Sequence, residues 1–230
     1  MKNIEELESI IKVEFKNKDL LTQAMIHRSF LNEHPTFHLG HNERMEFLGD
    51  AVLELVVTEY LYNNYKNPEG ELTNWRASLV NGAMLATASK ELEIEEFLFL
   101  SKGETQDRNS KARNYILANA FEALVGAIYL DQGWDASKKF ISRILITKLS
   151  YIIENELYTD AKSKFQEIAQ EKENITPSYK VLSETGPDHA KIFEVAVCLN
   201  KEVVASAKGT SKQEAQTKAA EEGLKARGWI

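Results

Sequence analysis

Two stretches of the sequence put oxygen-bearing side chains where buried helices would ordinarily carry none. From His41 to Tyr62 the chain reads HNERMEFLGDAVLELVVTEYLY. At about 100° per residue, Glu43, Glu46 and Asp50 fall within roughly 60° of one another on a helix. Met45, Phe47, Leu48, Val52, Leu53, Leu55, Val56 and Val57 cover nearly all the rest of the girth, the pattern of a buried helix. The second stretch, YILANAFEALVGAIYL from Tyr115 to Leu130, is strongly polar only at Asn119 and Glu122. These two are spaced i, i+3 and point the same way. Carboxylates on such helices are costly to desolvate unless they are paired or bound to a cation. If the two helices converge, their oxygens suit a hard cation such as Mg²⁺ or Mn²⁺ better than zinc. Two plainer readings stay open: a solvated acidic face, or structural salt bridges to Arg44, Arg76 or Arg113. His38 and His41 form a His-x-x-His pair without further ligands, which is weak support for zinc.

The elements that would position these residues come in two kinds. Residues 1–158 read as mostly helical, with apolar spacings of three and four such as Ile4, Leu7, Ile10 and Ile11. Pro35 and Gly40 punctuate a loop, Asn67-Pro68-Glu69-Gly70 signals a turn, and the polar run from Ser101 to Arg113 reads as a loop. After Asn155 the pattern changes. Ala161 to Lys172 reads as a short helix with Phe165, Ile168 and Ala169 on one face. Alternation follows at Tyr179 and Val181, then at Phe193, Val195, Val197 and Leu199, then at Val203 and Ala205. Ser211-Lys212-Gln213-Glu214 is a capping box that opens a last, alanine-rich helix. The fold class expected is multidomain: an all-α unit over 1–155, a short linker over 156–160, and a small α+β unit over 161–228 in the order α-β-β-β-α.

The 230 residues carry 28 Lys+Arg against 35 Asp+Glu, a net charge of −7. That speaks against binding nucleic acid over the whole surface. The excess is local: residues 1–158 hold 17 basic against 24 acidic residues, and the remainder holds 11 of each. A single cysteine, Cys198, excludes an internal disulfide framework. The start, MKNIEELESI, lacks the apolar core of a secretion signal, and the Tyr115–Leu130 stretch is too short and interrupted to span a bilayer. A cytoplasmic protein with no membrane partner is expected.

At its acidic helix the sequence resembles the bacterial ribonuclease III family. The resemblance is carried by His41-Asn42-Glu43-Arg44-Met45-Glu46-Phe47-Leu48-Gly49-Asp50-Ala51-Val52-Leu53, with Met45 where Leu is usual. Pro68-Glu69-Gly70-Glu71-Leu72-Thr73 with Arg76-Ala77-Ser78-Leu79-Val80, and Ser101-Lys102-Gly103-Glu104 running on to Phe121-Glu122-Ala123-Leu124, add to it. The tail resembles a double-stranded-RNA-binding domain at Phe165-Gln166-Glu167, Gly186-Pro187-Asp188-His189 and Gly209-Thr210-Ser211-Lys212.

The resemblance implies a homodimeric endonuclease that hydrolyses double-stranded RNA with Mg²⁺, Mn²⁺ substituting, and leaves 5′-phosphate and 3′-hydroxyl ends in RNA processing or decay. By position, Glu46, Asn119 and Glu122 would hold the metal. Asp50 would both ligate it and position the attacking water, Glu43 and Glu69 would support catalysis, and Phe47 would pack at the dimer interface. In the tail, Gln166, Glu167, Pro187 and His189 would meet minor grooves, while Thr210, Ser211 and Lys212 at the last helix's N-terminus would meet phosphates. Two positions depart from the family pattern. Asn119 stands where Asp is usual, and Gln213 where a second Lys often stands. An amide oxygen can ligate Mg²⁺ but brings no charge. Asn119 therefore also favours a rival reading, a non-catalytic duplex-binding or ribosome-associated relative. Metal would supply the activated water and the charge neutralisation that RNA hydrolysis needs.

Overall fold

The computed structural model describes residues 3–106, 110–155, 158, 161–187 and 191–229. Contacts divide the chain into two compact units between Tyr158 and Thr159, inside the span read as a linker.

The first unit is helical, as the apolar spacings imply. Its elements are α1 (Ile4–Ile11), α2 (Lys18–Ala24), α3 (Arg28–Glu33), α4 (Glu43–Asn64), α5 (Glu69–Val80), α6 (Gly82–Glu91), α7 (Lys102–Gln106), α8 (Lys111–Gln132), α9 (Trp134–Ile144) and α10 (Leu149–Glu154), with 3₁₀ turns at Ile94–Phe97 and Ile146–Lys148. Side chains of Asn3, Asn17 and Asn81 cap α1, α2 and α6 by accepting backbone N–H bonds. The core centres on α8, whose Leu117, Ala120, Phe121, Leu124, Val125 and Ile128 are buried, with α4 packed along it and α6 also against it. Asp131, at the far end of α8, accepts the backbone N–H groups of Lys16 and Asn17, both at 2.9 Å, and so ties that end to the turn before α2. Tyr158 stacks edge-on against the buried Trp75 and belongs to this unit.

One segment differs from its sequence reading. The run from Ser101 to Arg113 is not a plain loop: it contains α7 and the first turn of α8. Two serines explain it. Ser101 caps the first helix through Glu104 N–H, at 3.3 Å, and Ser110 caps the second through Arg113 N–H, at 3.1 Å. Arg113 is buried, pairs with Glu95 at 2.8 Å and donates to the Glu104 carbonyl. Its charge masked an inward position.

The second unit has the order read from the alternation: α11 (Ala161–Glu173), β1 (Ser178–Thr185), β2 (Ile192–Leu199), β3 (Glu202–Gly209) and α12 (Lys212–Ala226). The strands form one antiparallel sheet in sequence order. Register shifts mark an extra residue at Leu182 on β1 and at Val204 on β3, the latter opposite Val197 and Cys198. Phe165, Ala169, Val197, Leu199, Ala219, Ala220 and Leu224 make its core. A methyl on Gly223 would lie 2.7 Å from the Phe165 ring, so the bare glycine lets α11 close onto α12.

Candidate active site and RNA-facing surface

The two acidic stretches meet where α4 crosses α8. The crossing is tight because each helix offers a glycine. A Cβ on Gly49 would fall 1.8 Å from the Glu122 carbonyl oxygen, and one on Gly126 would fall 2.2 Å from that of Met45. The backbones touch, which any side chain would prevent. Glu46 and Asp50 flank Gly49 on α4. Asn119 and Glu122 lie on the turns of α8 just before Gly126. This is what brings four polar side chains together at the edge of an apolar core, with Glu46, Asn119 and Glu122 half-buried and Asp50 exposed.

The electrostatics are those of crowded acids. Burial, then the Glu43 charge, pushes the Glu46 carboxyl up, and Asp50 adds to it; the Asn119 amide hydrogen-bonds Glu46 and pulls the other way. Glu122 is pushed up to about 7, first by burial and then by Asp50 and Glu46. Among the described residues no Lys or Arg is a principal cause of either shift. Arg76 pairs with Glu54 at 3.0 Å and Arg113 with Glu95, so two arginines that offered a salt-bridge reading are committed elsewhere. Arg28 and His41 lie 3.5 and 3.7 Å from Glu43, at the edge of the cluster.

The donor set fits a hard divalent cation: three carboxylates and one amide, all oxygen. Among the described residues no three His, Cys, Asp or Glu side chains close on a common point at ligating distance. Mg²⁺ does not require that. It keeps several waters and takes one or two carboxylates together with substrate phosphates.

Glu69 stands apart. It begins α5, exposed, in a cleft of about 450 Å³ lined with Thr58, Tyr62, Leu72 and Arg76. Thr58 is eight residues beyond Asp50, or about 12 Å along α4. Within one chain the structure does not bring Glu69 into the cluster. Phe47 is 80% exposed, Leu55 58% and Tyr62 75%, so α4 is not buried all round as its composition implies. Phe47, Ala51 and Leu55 follow one another at i, i+4 spacing and form an exposed row along the helix.

In the tail, Gln166 and Glu167 are exposed on α11, and Pro187 is exposed just past β1. His189 lies outside the described residues. Ser211 caps α12 by accepting the Glu214 N–H at 3.1 Å. The return bond differs from the usual capping box: Glu214 accepts from the Thr210 N–H at 2.8 Å and the Thr210 hydroxyl at 2.5 Å. Those two bonds and Lys218 hold the Glu214 carboxyl down at about 2. Thr210 and Ser211 thus build the helix start on which Lys212 sits.

Gly49 and Gly126 are the positions that reading by residue chemistry passed over. The signal was available: a glycine inside a helix costs about 1 kcal/mol against alanine and implies a packing reason.

Comparison with known proteins agrees with both halves. Residues 17–149 match the ribonuclease-III-like family and residues 161–226 the double-stranded RNA binding motif. The chain is 43% identical over 226 residues to the Ribonuclease 3 of a Nitratiruptor species, covering 98% of this chain and 97% of that one. It is 40% identical over 230 residues to the Ribonuclease 3 of a Streptococcus pneumoniae strain, covering 96% and 98%. A solved nuclease domain of ribonuclease III from Campylobacter jejuni, described for flexibility in a region involved in dimer formation, matches 63% of this chain and 97% of its own at TM-score 0.57 and 40% identity. The two halves define one class, endonucleases that act on double-stranded RNA. The chain belongs to the ribonuclease III family. The non-catalytic reading is not favoured.

Proposed function

We propose that this endoribonuclease cuts duplex RNA with Mg²⁺ held at the α4–α8 crossing, in the cytoplasm, as a homodimer, leaving 5′-phosphate and 3′-hydroxyl ends. One observation carries the site assignment: the backbone contact of Gly49 and Gly126 at the α4–α8 crossing sets Glu46, Asp50, Asn119 and Glu122 close enough that the acids raise one another's proton affinity. Such a cluster favours a cation and repels phosphate until its charge is offset. When bound, the ion supplies Lewis acidity and neutralises the phosphate. Glu46 and Glu122 offer the half-buried oxygens that hold it. Asp50, exposed beside them, orients the attacking water. Asn119 fixes Glu46 through its hydrogen bond and contributes an uncharged oxygen. Glu43 adds negative charge beside Glu46 from the first turn of α4, and Glu43 and Glu69 take supporting roles in catalysis. Gln166, Glu167, Pro187 and His189 meet minor grooves, and Thr210, Ser211 and Lys212 meet the backbone between them. The exposed Phe47 side of α4 is the dimer surface, and the nuclease domain over 1–155 is joined to the RNA-binding domain over 161–228 by the linker at 156–160.

The test is cleavage of a long RNA duplex in Mg²⁺ and in Mn²⁺. Glu122→Gln and Asp50→Asn should each lower cleavage by at least about a hundredfold. Asn119→Asp should lower the Mg²⁺ concentration needed for half-maximal cutting. Full activity in Glu122→Gln would overturn the site assignment. An unchanged Mg²⁺ requirement in Asn119→Asp would remove Asn119 from it.

A further inference from the structure

Lys212 opens α12, and its Nζ already has partners. It lies 2.9 Å from Glu184 Oε1, near the end of β1, and 5.5 Å from the centre of the Phe193 ring. Glu184 and Phe193 face each other in register across β1 and β2, so the sheet fixes both beneath the ammonium. The two charged side chains are 55% and 41% exposed, so solvent and RNA reach the pair. Nothing in the spacing of the sequence joins these residues, which lie 28 positions apart.

We propose that Glu184 is a built-in competitor of the RNA backbone for Lys212, and that it sets both the strength and the salt dependence of duplex binding. The inference rests on the assignment of Lys212 as a phosphate contact. A phosphate oxygen and the Glu184 carboxylate ask for the same N–H donors, and an exposed ion pair is weak enough to be displaced. The displaced carboxylate then stands close to the phosphate and repels it. Lys191 also attracts Glu184, and this offsets part of that repulsion without freeing Lys212.

Salt dependence separates this arrangement from ordinary surface charge. A lysine that neutralises a phosphate releases a condensed cation, worth about 0.9 in the slope of log affinity against log salt for a B-form duplex. If that lysine comes with a carboxylate beside it, the pair presents no net charge to the backbone and displaces little of the condensed cation atmosphere. Lys212 then contributes little to the slope, although it touches the backbone.

The experiment uses the full chain in EDTA, which prevents hydrolysis, and an RNA duplex of about 30 base pairs titrated over a range of salt. Glu184→Gln, which keeps the size of the side chain on an exposed strand position, should tighten binding roughly three- to tenfold near 0.1 M salt and steepen the slope by up to about one unit. Lys212→Gln should weaken binding, and adding Glu184→Gln to it should bring little of the gain. Weakening by Lys212→Gln with no gain from Glu184→Gln overturns the competitor role while leaving the phosphate contact standing. A gain that survives in the double variant also overturns it, because general repulsion then explains the effect. If Lys212→Gln binds normally, the Lys212 assignment itself fails.

Discussion

At position 119 a single atom decides how much charge the cluster carries. An aspartate there would place a fourth negative group beside Glu46; the amide instead donates a hydrogen bond that favours the ionised Glu46. Glu122 shows what the remaining crowding does. It gives up its proton only at about 7, against 4.5 for an ordinary glutamate. Between these values the folded chain keeps a proton that the unfolded chain has lost, so metal-free stability falls as pH rises, and the full penalty stands above about pH 7. A bound divalent cation removes that penalty. Mg²⁺ should therefore raise Tm more near pH 8 than near pH 5.5. Glu122→Gln should raise the metal-free Tm near pH 8 and shrink the Mg²⁺ increment, read by calorimetry. An increment that is flat with pH would show that Glu122 does not ligate. The acids themselves were legible, because helical spacing alone puts Glu46 with Asp50 and Asn119 with Glu122. The Glu184–Lys212 pair was not, since it depends on which strand lies under the start of α12.

The crossing of α4 with α8 is the element-scale cause of the site. Helix propensity predicts that Gly49→Ala should gain about 1 kcal/mol. The structure predicts the reverse, because the added methyl would meet the Glu122 carbonyl at 1.8 Å, and backbone cannot yield as a side-chain tip can. Overpacking of this kind costs about 1–3 kcal/mol or more. Gly49→Ala should thus lower the denaturation midpoint of the helical unit and cut metal affinity with it. An alanine variant of normal stability would mean that the helices are not in backbone contact. Helix and strand order were legible in apolar periodicity. The true nature of Ser101–Arg113 was not, because Arg113 is charged yet buried, and only the two capping serines gave it away. Periodicity also overstated the burial of α4. It counts apolar residues, but not whether this chain or another covers them.

For the molecule as a whole, the −7 charge and the affinity for RNA are compatible because they lie in different places. The excess acid is confined to residues 1–158, and the tail is balanced, with Lys212 paired to Glu184 and Lys218 to Glu214. Among the described residues no helix is long and apolar enough to cross a membrane. Phe47, Leu55 and Tyr62 leave exposed apolar surface on α4, which the proposed function assigns to the dimer interface. Phe47→Asp should shift the full chain from dimer to monomer in sedimentation velocity while leaving its helical circular dichroism intact. A dimer that persists would place the interface elsewhere. The glycine contact between α4 and α8 has a final consequence, for where this protein can change over generations. A spacing set by two bare backbones has no graded settings: the smallest substitution is already too large. The scaffold beneath the acids therefore leaves no room for even a methyl at either glycine, and under the proposed assignment tuning to a different ion supply or pH falls to the donor atoms, at positions such as Asn119.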